Sequence, residues 1–207
     1  MSQLFRLQNF EIHKIIDELT VIGATSIPLL NEDFRLALLQ EAASYLYTPE
    51  VEVVGNGNQM VRQQLSSFTN FPSFTLYNQL KNAFQNLLDE HLAAVKSYPF
   101  ATNLNFNSMV LQKYELGSIG ITLHRDRKSY INLVCIFNID GRGKFYLCDE
   151  RSGTNAKAID SSPGNVIFLK APGFINSSRP FHYVNDIQTT RYTFGLRQTA
   201  IASKPLT

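Results

Sequence analysis

LHRDRKSYINLVCIFNIDGRGKFYLCDE, residues 123–150, sets strand against turn twice in quick succession. Residues 130–139 are rich in β-branched and aromatic side chains, which suit a pleated, half-buried surface. The pair Asp140-Gly141 then breaks the run, and a second apolar stretch, 143–148, begins at once. Two such runs around a glycine-containing turn predict neighbouring antiparallel strands. The same pattern continues on both sides. Upstream lie 107–114 and 118–123, around Glu115-Leu116-Gly117. Downstream lie 156–160, 165–169, 181–185 and 191–199, with turn signals at Ser152-Gly153, Pro163-Gly164 and Pro172-Gly173. About eight short strands joined by turns predict a double-sheet jelly roll or a small barrel.

Before residue 105 the periodicity is helical. Phe10, Ile12, Ile15, Ile16 and Leu19 predict a helix over 10–19. Phe34, Leu38, Leu39, Ala42, Tyr45 and Leu46 predict another over 32–47, with Asn31 as its N-cap. Leu76, Leu80, Phe84, Leu87, Leu88, Leu92 and Val95 form a wide apolar stripe over 74–96. Between the last two, GNGN at 55–58 reads as a flexible turn or hairpin tip. The expected organisation is α+β and a single domain, 1–207. Residues 1–106 form a mainly helical part packed on one sheet, with a candidate substrate lid at 48–72. Residues 107–199 form the jelly-roll core.

Composition narrows the function. Nineteen basic against seventeen acidic residues, a net charge of +2, do not mark a dedicated nucleic-acid binder. A hydrophobic content of 44% excludes disorder as the main state. No apolar run approaches a membrane span, and the opening MSQLFRLQNFEIHK has no basic region followed by an apolar one. A cytoplasmic protein with no membrane partner is expected. Cys135 and Cys148 lack metal or redox spacing and are expected to be free, buried thiols.

Three clusters carry chemistry. His124 and Asp126 stand two apart in LHRDR, so in an extended segment an imidazole and a carboxylate converge on one point. His182, in RPFHYV, supplies a second imidazole from another strand. Two histidines and one carboxylate leave three adjacent positions of a metal open, the arrangement of non-haem Fe(II) oxygen chemistry. In RYTFGLRQ, Arg191, Thr193, Gly195 and Arg197 share one strand face, while Tyr192, Phe194 and Leu196 take the other. Two guanidinium groups flanking small residues make a poor core unless an anion fills the space, and a dicarboxylate would fit. His13 and His91 lie in predicted helices and are assigned no ligand role.

His124-x-Asp126, His182 and Arg191, in that order, resemble the Fe(II)/2-oxoglutarate-dependent dioxygenases with a double-stranded β-helix core, and most closely the AlkB family. That family ends its core with an Arg-five residues-Arg strand, like RYTFGLR here, and places an Asn-x-Tyr pair before the HxD, where this sequence has Gln112-x-Tyr114. The resemblance covers roughly 107–199. It implies that His124, Asp126 and His182 ligate iron and carry catalysis. It also implies that Arg191, helped by Tyr114, holds the far carboxylate of 2-oxoglutarate, and that Arg197 lies near the chelating end. Gln112 and Thr193 stand where the family often has Asn and keep hydrogen-bonding capacity. The implied cofactors are Fe(II), 2-oxoglutarate and O2, with succinate and CO2 as co-products.

For the substrate, three readings stay open. One is hydroxylation, or oxidative dealkylation, of a small molecule, amino acid or peptide. Another is AlkB-like demethylation of nucleobases in DNA or RNA, with Arg62, Phe68 and Phe71 as candidate contacts. The third is a non-catalytic binding or sensor module. Arg125, Arg127 and Lys128 flank the metal motif and either meet an anionic substrate or stay solvated. Arg179, close to His182 in the sequence, either points toward the site mouth or has no role there, and the protein is expected to be a monomer or weak dimer.

Overall fold

The computed structural model describes residues 4–175 and 178–200. Three α-helices, α1 (Ile12–Val21), α2 (Glu32–Ala43) and α3 (Leu76–Ala93), fall on the helices expected from periodicity. The strands are β1 (Ala24–Pro28), β2 (Thr48–Pro49), β3 (Val53–Val54), β4 (Val61–Gln64), β5 (Ser66–Phe68), β6 (Ser108–Tyr114), β7 (Gly120–His124), β8 (Tyr130–Asp140), β9 (Lys144–Cys148), β10 (Lys157–Ile159), β11 (Asn165–Lys170), β12 (Phe181–Asn185) and β13 (Arg191–Thr199). They form a seven-stranded sheet, order β1-β11-β8-β13-β6-β5-β2, and a six-stranded sheet, order β10-β9-β12-β7-β4-β3. Every strand pair is antiparallel. This is the double-stranded β-helix, and β6–β13 match the eight segments expected from the sequence.

The N-terminal half differs from its helical reading. It contributes β1 to one edge of the larger sheet, and β2–β5 reach both sheets. These five strands are two to five residues long, too short for alternation to show in the sequence. Within 48–68 the backbone runs out and back as a paired ladder. Thr48 faces Ser67 on the larger sheet, the Glu50 amide donates to the Leu65 carbonyl at the crossing, and Val53 faces Arg62 on the smaller sheet. GNGN forms the tip of the β3–β4 hairpin, as expected.

The helices cover the outer face of the larger sheet. Leu19, Leu38, Leu80, Phe84 and Leu88 share one core with Phe137, Phe168 and Phe194. Asn31 caps α2 by accepting from the Asp33 amide at 3.3 Å. The helix stops at Ala43 rather than 47. Ser44 turns its hydroxyl onto the Glu41 carbonyl at 2.7 Å, and Tyr45 leaves the helix to stack on Phe68 at 4.0 Å, while Leu46 is 91% exposed. Here a tertiary aromatic contact outweighs helical periodicity. Cys135 and Cys148 are free and buried. Among the described residues no helix is long and apolar enough to cross a membrane.

Arg35 ties α2 to the sheet. Its Nε and Nη2 grip Glu32 at 2.9 and 2.7 Å, and its Nη1 reaches the Ile139 carbonyl at 2.8 Å and Asp140 at 2.9 Å. Arg35→Ala leaves a buried carbonyl unsatisfied and is expected to cost about 2 kcal/mol in urea unfolding. The hydrogen bond from Arg35 holds the Glu32 carboxyl below its usual range. That part of the stability is present above the unfolded carboxyl value and fades as pH falls through the lower folded value. The variant's unfolding curve should therefore be flatter with pH on the acid side.

Candidate active site

The two imidazoles meet because β7 and β12 are neighbours. His124 and His182 are direct cross-strand partners, with ring centroids 4.3 Å apart. The next pair is Ile121 with Val184, so β7 uses one residue more than β12 over this step. The bulge lets both Ile121 and His124 face the space between the sheets, where strict alternation would send one of them out. Next to it, Gly120 has φ +74°, and a Cβ there would lie 2.0 Å from the Val184 carbonyl. Gly120→Ala is expected to destabilise the protein by about 3 kcal/mol or more and to disturb His182 two residues from the clash, read by urea unfolding and by loss of metal binding.

Each imidazole is oriented through Nδ1. That of His124 lies 2.8 Å from the Thr122 carbonyl, and that of His182 lies 3.2 Å from the Pro180 carbonyl. A carbonyl only accepts, so Nδ1 donates in both rings, which leaves Nε2 as the atom each ring offers to the cavity. Asp126 lies just beyond the end of β7, with Oδ2 4.0 Å from His182 Nε2. The ligand atoms of His124, Asp126 and His182 all lie within 4.8 Å of one another. Arg179 donates to the Asp126 carbonyl and anchors this loop.

Electrostatics keep His124 and Asp126 in metal-ready states. Burial, then the nearby His182, pushes His124 down to about 4, so its ring is neutral near pH 7. Burial works to raise Asp126, but His182, Arg197, His124 and Arg179 together hold it below its usual value, so it is ionised. A neutral imidazole and a carboxylate anion are the forms that coordinate a cation.

Deeper in the same cavity, β13 and β6 face each other in register, Arg191 with Tyr114 and Thr193 with Gln112. Arg191 is 1% exposed, its Nε and Nη2 are buried with no hydrogen-bond partner among the described residues, and its guanidinium lies 5.6 Å from the Tyr114 ring. Burial lowers its pKa. Tyr114 is buried too, its hydroxyl 3.5 Å from Gln112 Oε1. Arg197 lies towards Asp126, its guanidinium 5.0 Å from the Tyr130 ring and its Nε likewise unpartnered among the described residues. Phe194 and Leu196 alternate to the helix-covered core.

One cavity of about 390 Å³ joins the two groups. Its lining includes His124, Asp126, His182, Arg191, Arg197, Tyr114, Gln112 and Thr193. All eight residues singled out from the sequence therefore share one space. The opening also has walls that the sequence reading left without named side chains. Glu50, Val54, Val61, Gln63 and Leu65 come from the 48–68 ladder, beside Arg125 and Arg127 from the β7–β8 connection. Two other candidates lie elsewhere. Phe68 and Phe71, considered as base-stacking groups, pack against Tyr45, Tyr77 and Phe194 and do not line the cavity. Both rings pack into the aromatic cluster of Tyr45, Tyr77 and Phe194, because aromatic burial outweighs exposure to water. Arg62, the third candidate base contact, sits on the exposed side of β4, where its amide donates to Thr122.

No family model and no curated protein matches this sequence. Solved structures do. A Pseudomonas putida prolyl-4-hydroxylase superposes with TM-score 0.67 at 12% identity, covering 91% of this protein and 99% of its own length. A Trichoplax adhaerens prolyl hydroxylase, solved with a hypoxia inducible factor peptide fragment, gives 0.68 at 12%, covering 95% and 98%. OsALKBH1 gives 0.57 at 15%, covering 85% and 98%. The protein thus has the fold of 2-oxoglutarate–Fe(II) oxygenases over nearly its whole length.

Proposed function

We propose that this protein is an Fe(II)- and 2-oxoglutarate-dependent dioxygenase that hydroxylates a C–H bond of a small-molecule, amino-acid or peptide substrate, with succinate and CO2 as co-products. The observation that carries the reading is Arg191. A buried guanidinium with two unpartnered nitrogens costs several kcal/mol unless an anion completes it. In this cavity the anion's other end would face the lone pairs of His124, Asp126 and His182. A dicarboxylate with a chelating keto acid at one end fits both demands.

Fe(II), 2-oxoglutarate and O2 supply the oxidation when bound: O2 is reduced, 2-oxoglutarate loses CO2 to become succinate, and one oxygen atom goes to the substrate C–H bond. The protein's residues hold and orient. His124, Asp126 and His182 would be the metal ligands, set by the two carbonyl contacts to Nδ1. Arg191 would pair with the far carboxylate, with the Tyr114 hydroxyl beside it. Gln112 and Thr193 would offer hydrogen bonds along the co-substrate, and Arg197 would face its chelating end. Val184, Ile121 and Phe145 add apolar wall beside these polar groups, which strengthens the charge contacts made there.

The nature of the lining supports a small-molecule, amino-acid or peptide substrate over a nucleobase. The aromatic side chains on the cavity are Tyr114, Tyr130 and Phe145. Tyr114 and Phe145 are buried, and the Arg197 guanidinium lies 5.0 Å from the Tyr130 ring, so the described lining offers little exposed aromatic surface on which to stack a base. Succinate formation from 2-oxoglutarate, followed by NMR with panels of amino acids, peptides and methylated oligonucleotides, tests the function. Iron- and oxygen-dependent succinate, stimulated by an amino acid or peptide, is expected. Stimulation by oligonucleotides alone would move the substrate to nucleobases, and no succinate above the iron-free control would overturn the enzyme reading.

A further inference from the structure

Two crossings of the backbone from sheet to sheet wall the opening between them. One is the 48–68 ladder, with Glu50 at the point where it passes from the larger sheet to the smaller. The other is 125–129, joining β7 of the smaller sheet to β8 of the larger. The crossings put charges of opposite sign on the cavity that the co-substrate and metal do not use: Glu50 from the first, and Arg125 and Arg127 from the second. The neighbouring Arg125 is already engaged, its guanidinium 3.9 Å from the Phe181 ring. Arg127 is exposed, and its side chain has no partner among the described residues. Glu50 is steadied by the Ser67 hydroxyl on Oε1, which leaves Oε2 free. Between them the ladder offers Val54, Val61 and Leu65 to the same space, with Val54 48% exposed.

We infer that the substrate is a free amino acid with an aliphatic side chain, its carboxylate held by Arg127, its ammonium by Glu50, and its aliphatic part laid on Val54, Val61 and Leu65 beside the metal group. This deepens the oxygenase reading and rests on it. Arg127 follows Asp126 directly in the sequence, so a carboxylate on its guanidinium would hold the rest of the molecule near the three ligands. An acidic and a basic side chain lining one cavity suit a zwitterion, and neither an ordinary internal peptide segment nor a neutral hydrocarbon would satisfy both. A valine-lined patch rewards an aliphatic group by about 0.8 kcal/mol per buried methylene. The expected reaction replaces one C–H bond of the aliphatic group with C–OH. O2 and 2-oxoglutarate are the oxidants, and succinate and CO2 leave.

The test is anaerobic titration of the Fe(II)- and 2-oxoglutarate-loaded protein with free L-valine, L-leucine and L-isoleucine. The readout is perturbation of the visible charge-transfer band. At least one of them should shift the band and saturate, and its methyl ester and its N-acetyl derivative should each bind at least about tenfold more weakly. Arg127→Ala should remove the discrimination against the ester but keep that against the N-acetyl form. Glu50→Gln should do the reverse. This crossed pattern is one that a general loss of folding would not produce. If 2-oxoglutarate yields the band and none of the amino acids moves it at millimolar concentration, the zwitterion assignment is overturned while the oxygenase reading stands. An amino acid that binds as well in its esterified and acetylated forms would overturn it too. Absence of the band in the loaded wild type would instead count against the oxygenase reading itself.

Discussion

Arg191→Met is expected to weaken 2-oxoglutarate binding by roughly 150-fold, about 3 kcal/mol, while leaving the apo protein at least as stable as wild type. The two halves of this expectation come from one fact. Arg191 is buried in the apo fold with Nε and Nη2 unpartnered among the described residues, and burial already lowers its pKa. Without an anion the charge is a liability. Replacing an ill-compensated buried ion by an apolar side chain of similar length is commonly neutral or stabilising, by about 1 kcal/mol or more. With the anion present, the same charge supplies a bidentate contact that methionine cannot make. Thermal unfolding with and without 2-oxoglutarate separates the two. The variant's apo midpoint should equal or exceed that of wild type, and its shift on adding 2-oxoglutarate should vanish. A lowered apo midpoint with an undiminished shift would mean that Arg191 is a scaffold residue and that the co-substrate binds elsewhere.

His182→Ala is expected to lower affinity for Fe(II), or for Mn(II) as an air-stable probe, by about 100-fold or more. His182 is 4% exposed and lies 5.5 Å from the Phe145 ring, nearly parallel to it, so its removal also opens a small cavity. That cost to folding is about 1–2 kcal/mol. Asp126→Ala, which removes a carboxylate from a loop and not from a strand, gives a second reading with less effect on packing. Both variants should keep the wild-type far-ultraviolet circular dichroism and lose metal binding in calorimetric titration. Metal affinity within about threefold of wild type in either variant would remove that residue from the ligand set.

The core was legible because its signals are local. Strands such as 130–139 and 191–199 are long and bounded by Asp140-Gly141 and by polar residues, so period and turn chemistry agree. The site was legible for a different reason. Arg191 and Arg197 on one face of RYTFGLR make no sense as core, and a residue pattern that fails as packing points to a ligand. Less could be read where structure depends on distant partners. β4 and β5 exist because they add to sheet edges more than 40 residues away in sequence, on β7 and β6, with β3 and β2 paired to them in turn, and two to four residues carry no period of their own. The β7 bulge is equally silent in sequence. HxD spacing suggested a shared face of an extended segment, whereas the structure ends the strand at His124, leaves Asp126 in the following loop, and uses the bulge to aim the imidazole. Phe68 and Phe71 looked available and were taken by Tyr45 and Tyr77, partners that only the fold brings near. The charges at the mouth, Glu50 and Arg127, are ordinary surface residues until both line one cavity.

The most direct test of the central claim is anaerobic absorption of the purified protein with Fe(II), before and after 2-oxoglutarate, with succinate as a control ligand. A keto acid that chelates iron held by His124, Asp126 and His182, with its far carboxylate on Arg191, predicts a new visible charge-transfer band. The band should form with 2-oxoglutarate and not with succinate, in the wild type and not in His182→Ala. No band in the wild type, or an equal band in the variant, would contradict the account and leave the polar cluster of this double-stranded β-helix with another purpose.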